Sequence, residues 1–563
     1  MEFRAVVDEL LDGYFAQYPP LATEKGNHAH DHEWGDLTDD GRRARLAWLA
    51  EASSAVEHLD EATLTRDEQI DRRILREHLA AMRFDEETLD ETSWNPLLYV
   101  YLFGGGLFSL LAREFAPAED RLRSAAARMR ALPAALDQAR ARLDAGGSRP
   151  TSRLHTEKAI ERLPGILDLA DSAVEEAAKL DAGLRDEVAA AADDVRVAVA
   201  AFGDWLRDEL LPRATGDFRL GAELYARKFR HALKTEMTPD ELEQRAASAY
   251  GEVRAEMLRL ARELWPAWVG DEPMPDDVDR LVRRVLDAIA AEHPRADELL
   301  DFCRAENTRI EAFIRERDLL GLAEEPMQIV WTPKFLRSFG GAMLIPPGPL
   351  DRGLDSFFAI TPMPDDWGEE RRESYLREQN LRMLRLLTIH EAVPGHYLQL
   401  AYSNRSDSLV RAIFWSGVFA EGWAVYVTQV MMDAGYGGDD PALMLVHWKF
   451  FLRAIINTLI DLRIHAGSMS EAEAMEIMVT GGFQEESEAA NKWDRARLSS
   501  TQLCEYFLGS VGMGELEAEA RRRAEADGRD FVYRPFLESV LGHGTPSLPV
   551  IRDVLFPAEV PAG

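Results

Sequence analysis

The chain has 563 residues, with 65 basic and 99 acidic side chains and a formal net charge of −34. This negative charge argues against nucleic acid or an anionic membrane as a partner, since both carry charge of the same sign. The two cysteines are too few for a disulfide scaffold or a four-cysteine zinc site. The first residues lack a basic start followed by an apolar run, so we predict a cytoplasmic protein.

Most of the chain is predicted to be helical, because apolar residues recur at three- and four-residue spacing among charged ones. The clearest such stretches are 65–85, 116–145, 151–212 and 238–267. Thr238 and Ser470 each precede a glutamate by three residues, which predicts a capping box at the start of a helix. The charge-free stretch 92–112 contains a proline and three consecutive glycines, so it is predicted to be a buried helix and turn.

The region 327–361 departs from the helical pattern and is rich in glycine, proline, β-branched and aromatic residues. Three short strands separated by turn residues are predicted at 328–331, 342–345 and 356–360. The chain is therefore expected to have a mainly helical N-terminal part, 1–325. The second part, 326–563, is expected to hold one small sheet and the helices that carry the candidate chemistry.

Two histidines, His390 and His396, are six residues apart. A zinc-binding helix usually has two histidines four residues apart on one face, with a glutamate beside the first. At six-residue spacing on a regular helix, the two rings point to different sides. Pro394 and Gly395 lie between them, and these residue types allow a helix to bulge or break. We therefore predict a bulge or broken turn that returns His396 to the side of His390.

Glu421 lies in an apolar stretch that has no other charged residue up to Met432. A carboxylate buried alone is costly, and a metal ion is a natural partner for it. Two histidines, one glutamate and an open water position form a known catalytic zinc arrangement. We predict that His390, His396 and Glu421 bind one Zn²⁺ and that Glu391 is the general base. The alternative is a core histidine at 390 and an ion pair between Glu421 and an arginine.

The segment 390–399 resembles the motif His-Glu-Ala-x-Pro-Gly-His-x-x-Gln of the bacterial family named domain of unknown function 885. Residues 421–424 resemble the Glu-Gly-Trp-Ala motif of that family, and the resemblance extends nearly end to end. The family is grouped with gluzincin-type zinc metallopeptidases. The resemblance implies one catalytic unit over 1–563 with a mostly α, zinc-peptidase-like fold. It also implies a deep cleft, a small sheet beside the active-site helix, and short peptides as substrates.

Two further segments resemble the family: 461–465, with the pattern Asp-x-x-x-His, and 502–509, with the pattern Gln-x-x-x-Tyr-x-x-Gly. A zinc hydrolase needs a donor that stabilises the oxyanion. His465 and Tyr506 are the candidate catalytic residues for this role, and a purely structural role is the alternative for each. The chain departs from the family at 500–501, where Ser-Thr replaces the usual Pro-Gly.

We predict a zinc-dependent hydrolase, and specifically a metallopeptidase that cleaves short peptides with Glu391 as base. The alternatives are a zinc hydrolase of a non-peptide amide or ester, and a non-catalytic binding protein that retains a metal. Glu391 argues against the last, because a structural metal site needs no base beside its first ligand. His28, His30 and His32 are predicted to lie in a surface or lid loop. The sequence does not specify which end of a peptide is recognised, or the oligomeric state.

Overall fold

The computed structural model describes residues 2–333, 337, 341–364 and 366–557. Helices account for 72% of it, and one three-stranded sheet is present within these ranges, so the mostly α prediction is confirmed. The chain forms two compact units, one of residues 1–218 with 347–355 and the other of residues 219–346 with 356–563. The first boundary between the units lies after Phe218.

Among its described residues, the first unit contains helices and no strand of the sheet. Its α-helices are α1 (Phe3–Gln17), α2 (Pro19–Lys25), α3 (Asp39–Glu57), α4 (Arg66–Phe84), α5 (Pro96–Leu111), α6 (Ala118–Ala145), α7 (Arg153–Arg162), α8 (Gly165–Ala177), α9 (Ala182–Trp205) and α10 (Leu211–Arg213). Helices α6 and α9 pack extensively on each other through alanine-rich faces, and α5 packs on α6 and α8. Small side chains on the facing surfaces allow this close packing of helices.

Helix α5 confirms that the stretch 92–112 is a buried helix and turn. The Asn95 side chain accepts a hydrogen bond from the Leu97 N–H at 3.1 Å and caps the helix, and Pro96 occupies its first position. Phe103 and Leu110 are fully buried. Burial of this apolar face inside the first unit explains why the sequence has no charge there.

The segment 347–355 joins two strands of the sheet, yet it belongs to the first unit. His28 connects it to the N-terminal helices. The Nδ1 atom of His28 lies 3.0 Å from Asp31, its Nε2 atom lies 2.9 Å from Asp351, and its ring stacks on Phe115 at 3.8 Å. Burial lowers the pKa of His28, but the hydrogen bonds to Asp31 and Asp351 raise it more strongly, to about 9. His28 is therefore held as a cation between two carboxylates.

This arrangement predicts a pH-dependent contribution of His28 to stability. The folded-state pKa lies above the ordinary value, so the contribution is complete below about pH 6.5 and is lost as pH rises through about 9. Replacing His28 by alanine should cost about 1–3 kcal/mol near pH 6 and much less near pH 10, with allowance for solvent screening of a partly exposed ring. Thermal melts of both proteins at the two pH values measure this.

An exposed histidine in the same unit is the control for this prediction. His58 hydrogen-bonds to Ser54 at the end of its own helix, so His58→Ala should change the melting temperature little and equally at both pH values. A destabilisation by His28→Ala that is the same near pH 6 and near pH 10 would show that His28 is not held as a cation.

The second unit contains the sheet and the remaining helices. Its helices before the sheet are α11 (Ala222–Leu233), α12 (Pro239–Trp268), α13 (Val278–Ala290) and α14 (Leu299–Arg317). Those after it are α15 (Glu369–Glu378), α16 (Leu381–Glu391), α17 (His396–Asn404), α18 (Leu409–Ile413), α19 (Gly417–Asp433), α20 (Pro441–His465), α21 (Glu471–Glu476), α22 (Glu486–Leu498), α23 (Glu505–Ala526), α24 (Tyr533–Leu541) and α25 (Leu548–Leu555). The predicted capping boxes at Thr238 and Ser470 start α12 and α21.

The three predicted strands are confirmed. They are β1 (Met327–Trp331), β2 (Ala342–Ile345) and β3 (Ser356–Ile360), in the order β1-β3-β2. Strand β1 is parallel to β3, and β2 is antiparallel to it. Ile329 and Phe358 of the sheet share a buried cluster with Leu384 of α16 and with Ala392, the residue after it. The sheet thus packs against the helix that carries His390, as predicted.

Helix α20 is long and apolar enough to cross a membrane by length and composition, but 72% of its most apolar window is buried inside the protein. It packs along α12 and also contacts α16, α22 and α23. These contacts are those of a central core helix, because neighbouring helices cover its apolar surface.

Candidate metal centre

The chain breaks its helix between the two histidines, which confirms the predicted distortion. Helix α16 ends at Glu391 and α17 begins at His396, and the Val393–Pro394 peptide bond is cis. Gly395 is required by close approach: a Cβ there would lie 1.9 Å from the carbonyl oxygen of His390. Only glycine fits this turn, so Pro394 and Gly395 together place His396 at the start of a new helix.

The two segments that resemble family motifs, 390–399 and 421–424, contact each other at this break. Trp423, two residues after Glu421 on α19, is fully buried, and its Nε1–H donates to the Pro394 carbonyl at 2.8 Å. Gln399 of the first motif is also fully buried and donates to the Thr545 hydroxyl at 2.6 Å. The tryptophan thus connects α19 to the break between α16 and α17, and the glutamine connects α17 to the segment before α25.

This packing brings the three predicted ligands together. One nitrogen or oxygen atom from each of His390, His396 and Glu421 lies within 4.8 Å of the others. Glu421 Oε2 is 3.9 Å from His390 Nε2 and 3.4 Å from His396 Nε2, and the imidazole rings are 4.8 Å apart. Among the residues that the structure describes, this is the one such group of histidine, cysteine and carboxylate side chains.

The nitrogen and oxygen atoms of these three side chains suit binding to a metal ion better than hydrogen bonding to one another. Glu421 Oε2 is buried and has no hydrogen-bond partner in the described part of the chain, although His396 is near. Burial, together with the charge of His396, lowers the pKa of His390 to about 3. Burial raises the pKa of Glu421, but the histidines outweigh this and lower it below its usual value. A neutral imidazole and an ionised carboxylate are the forms that bind Zn²⁺.

Glu391 lies beside this group at the end of α16. Burial raises its pKa above the usual value, and Glu421 adds to this, whereas His396 opposes it. Its carboxylate accepts a hydrogen bond from the backbone N–H of Leu344 on β2. A buried carboxyl with a raised pKa, next to three potential metal ligands, has the properties of a general base.

Strand β2 therefore borders the site through its outer edge. The Gly341 carbonyl accepts a hydrogen bond from Thr361 after β3, so the backbone groups of alternate residues, Ala342 and Leu344, point away from β3. The contact of Leu344 with Glu391 agrees with this alternation. Strand β2 thus lies beside Glu391, and the cleft that it is predicted to border stays a prediction.

Tyr506 reaches the site because two glycines let α19 and α23 approach closely. A Cβ on Gly509 would lie 2.1 Å from the Val418 carbonyl oxygen, and one on Gly422 would lie 2.3 Å from the Gly509 carbonyl carbon. Burial raises the pKa of Tyr506 to about 12, and the charge of Glu421 adds to this. The tyrosine therefore remains protonated and able to donate a hydrogen bond near Glu421.

The close contact at Gly509 predicts that an added methyl group lowers the stability of the protein for steric reasons alone. Gly509→Ala should destabilise the protein by about 1–3 kcal/mol, because the added methyl group meets the backbone of α19. On the same helix, a Cβ added to Gly514 would have no neighbouring atom within 4 Å, so Gly514→Ala should stabilise by about 0.5–1 kcal/mol. Chemical denaturation measures both; equal effects of the two variants would contradict the close packing of α19 and α23.

His465 has contacts that favour the structural role. Its Nε2 lies 2.8 Å from the Ala496 carbonyl and 3.0 Å from the Ser499 carbonyl, and its ring stacks on Tyr225 at 5.9 Å. Asp461 does share this region, and it accepts a hydrogen bond from the Tyr225 hydroxyl at 2.7 Å. The Nε2–H of His465 is thus engaged within the fold, so Tyr506 is the better candidate for an oxyanion donor.

The departure at 500–501 has a visible conformational consequence. Thr501 has a φ of 72°, a left-handed conformation that glycine adopts at little cost and a β-branched residue adopts rarely. Its N–H donates to Asp461 at 2.9 Å. The glycine that the resemblance implies here would suit this backbone, and the threonine keeps the same turn.

Sequence reasoning missed two residues near the site, Lys492 and Arg495 of α22. Arg495 donates to the Tyr506 hydroxyl at 3.2 Å and to Gln502 at 2.9 Å. Both residues interact electrostatically with Glu421. Basic residues on an amphipathic helix usually face solvent, and no local pattern distinguishes these two. Their position depends on how α22 packs on α20 and α21.

Two other expectations concern residues outside this site. His28, His30 and His32 belong to a short turn in which each ring lies within 3.5 Å of an acidic residue, and they form no metal-ligand group among the described residues. A cavity of about 970 Å³ lies between α12, α20 and α21, and the three predicted ligands do not line it. The deep cleft beside the metal ligands stays a prediction.

The fold and the site define a mostly helical protein in which two histidines and two glutamates converge beside a small sheet. The chain belongs to the family described as bacterial protein of unknown function (DUF885), whose model matches residues 19–555. This confirms the family part of the resemblance. The comparison with curated proteins found no match.

Two solved structures are similar to this chain over almost its whole length. One is described as "a putative lipoprotein of unknown function" from Shewanella oneidensis, with 30% identity, a TM-score of 0.84, and coverage of 99% of this chain and 100% of that one. The other is described as "the putative lipoprotein from Colwellia psychrerythraea", with 16% identity, a TM-score of 0.80, and coverage of 98% and 97%. The second likeness concerns the fold alone.

Proposed function

We propose that the protein is a zinc-dependent hydrolase, and specifically a metallopeptidase that acts on short peptides. The observation that carries this proposal is the convergence of His390, His396 and Glu421 around a buried carboxylate oxygen that has no hydrogen-bond partner among the described residues. Zinc bound by these residues would supply a Lewis acid that polarises the scissile carbonyl and lowers the pKa of a bound water. The assignment of the protein to the gluzincin-type zinc peptidases is part of this proposal.

Residues of the chain would transfer the proton and stabilise the negative charge on the carbonyl oxygen. Glu391 takes a proton from the attacking water onto its carboxylate, and it then delivers that proton to the amide nitrogen as the carbon–nitrogen bond breaks. Its raised pKa suits both transfers, because the protonated form is not too acidic to persist. Tyr506 donates its hydroxyl hydrogen to the carbonyl oxygen as negative charge develops there. The products are a free carboxylate and a free amine.

The outer edge of β2 supports a peptide as the substrate. Ala342 and Leu344 direct backbone groups away from β3, on the side where Leu344 contacts Glu391. An extended peptide can pair with such an edge through backbone hydrogen bonds. This edge favours a peptide over a non-peptide amide or ester, which lacks repeating backbone groups.

The cellular location also belongs to this proposal. The sequence predicts a cytoplasmic protein, whereas the lipoprotein descriptions of the two similar structures favour an envelope location. Fractionation of cells that express the full chain distinguishes the two. The catalytic proposal is the same for either compartment.

Cleavage of a mixed peptide library by the zinc-loaded protein tests the function. We expect hydrolysis that a chelator abolishes and that added zinc restores, with products identified by mass spectrometry. Esters and non-peptide amides are tested in parallel as substrates of the alternative hydrolase. If only the esters or non-peptide amides are hydrolysed, and a chelator stops the reaction, the protein is a zinc hydrolase of another class and not a peptidase. No turnover in any arm by a protein that binds zinc would favour the non-catalytic binding protein.

A further inference from the structure

Helix α22 directs two cations toward the candidate metal centre. Lys492 and Arg495 are three residues apart and so lie on the same side of the helix. Both side chains interact electrostatically with Glu421, and Arg495 also interacts electrostatically with Glu391. Arg495 also donates to the Tyr506 hydroxyl at 3.2 Å, so α22 borders the residues proposed to perform catalysis.

Lys492 is buried and has no counter-ion in the part of the chain that the structure describes. It is 9% exposed, and within the described residues it makes neither a hydrogen bond nor an ion pair. Lys449 gives the contrast: it is 7% exposed and pairs with Glu378 at 3.0 Å. Glu488 lies one turn away on the helix of Lys492 and influences it only at longer range. Burial, together with the charge of Arg495, lowers the pKa of Lys492 to about 7. A bound anion would therefore stabilise its ammonium form.

Among the described residues, Arg495 also has no acidic partner. Its side chain is exposed, and in the described part of the chain it hydrogen-bonds only to Gln502 and the Tyr506 hydroxyl. Arg497, two residues further, forms an ion pair with Asp494. A guanidinium has five N–H donors, so Arg495 retains donors for a ligand. A metal held by Glu421 would leave the two cations of α22 with still less negative charge near them.

We propose that Lys492 and Arg495 form a subsite for the terminal carboxylate of a peptide substrate. This inference rests on the proposed peptidase function and specifies cleavage near the carboxyl end of a short peptide. Every linear peptide with a free carboxyl end has that anion, whereas its amino terminus is positive and these cations would repel it. A guanidinium and an ammonium are the groups that usually bind carboxylates in proteins.

Matched binding measurements test the subsite without turnover. The probes are the tripeptide Ala-Ala-Ala as the free acid and as its carboxyl-terminal amide, titrated by calorimetry into zinc-loaded Glu391→Gln protein. We expect the free acid to bind at least about tenfold more tightly than the amide, as a charge-assisted contact provides. The additional change Lys492→Met should bring this ratio close to one. Arg495→Gln should lower it as well, and Arg497→Gln should leave it unchanged.

The outcomes separate this inference from the proposed function. An acid-to-amide ratio that survives Lys492→Met and Arg495→Gln would overturn the subsite and leave the peptidase proposal standing. Tighter binding of the carboxyl-terminal amide of Ala-Asp-Ala than of the free acid Ala-Ala-Ala would show a preference for an internal carboxylate and would also overturn it. Failure of both probes to bind at millimolar concentration while zinc stays at the triad would do the same. Melting temperatures of the variants establish that each is folded, and Arg495 is an exposed position where substitution leaves the core intact.

Discussion

Replacing Glu391 by glutamine should abolish most of the turnover while the protein keeps its metal. Glutamine preserves the shape of the side chain, and its carbonyl oxygen can still accept the hydrogen bond from the backbone N–H of Leu344. It cannot accept the proton of the attacking water. Loss of a general base typically costs about a hundredfold to ten-thousandfold in rate. The measurement is kcat on a peptide identified by the library screen, with zinc content determined on the same sample.

Glu505, the first residue of α23, is influenced by the charge of Glu421 and offers a matched control. Burial raises its pKa to about 8, and the charge of Glu421 adds to this, so Glu505 is largely protonated near neutral pH. Glutamine is a close mimic of a protonated glutamate, and Glu505→Gln should change kcat by less than about threefold. If Glu391→Gln retained the turnover of the parent protein, Glu391 would not be the base, and the mechanism proposed here would be wrong.

Removing a ligand histidine should have a different signature from removing the base. His390→Ala and His396→Ala each leave two of the three donors, so we expect both to lose zinc and turnover together. Loss of one of three ligands should weaken zinc binding by a factor of about a hundred or more, in excess of the roughly 10–100-fold typical of outer-shell changes. Competition with a chromophoric chelator measures the dissociation constant.

The control for these variants is another buried histidine. His447 on α20 is 1% exposed, hydrogen-bonds to Gln429 at 2.9 Å, and is not one of the three ligands. His447→Ala should lower the melting temperature through the cavity that it creates, yet leave the zinc affinity of the protein unchanged. Undiminished zinc affinity in both ligand variants would exclude the histidine pair from the metal site.

The parts of this site that could be predicted are those encoded by local chemistry. Pro394 and Gly395 break the helix wherever the rest of the chain lies, so the distortion between the histidines follows from sequence. The charge-free surroundings of Glu421 likewise indicate burial beside a partner. The three strands could be found because their residues differ in type from the helices on either side.

The remaining features depend on contacts between distant segments. His28 and Asp351 are 323 positions apart, and nothing in the short segment 347–355 indicates that it packs with the first unit. Lys492 and Arg495 look like ordinary surface cations until α22 is placed against α20. The role of His465 was open for the same reason, because the carbonyl groups that engage its Nε2 belong to residues 31 and 34 positions later.

The central claim is that His390, His396 and Glu421 hold one zinc ion. Anomalous diffraction at the zinc absorption edge, from crystals of the full chain equilibrated with zinc, tests it most directly. We predict a single strong peak with the two Nε2 atoms and a Glu421 oxygen at about 2.0–2.2 Å, and with Glu391 outside bonding distance. A zinc peak elsewhere, with these three side chains turned away from one another, would contradict the account.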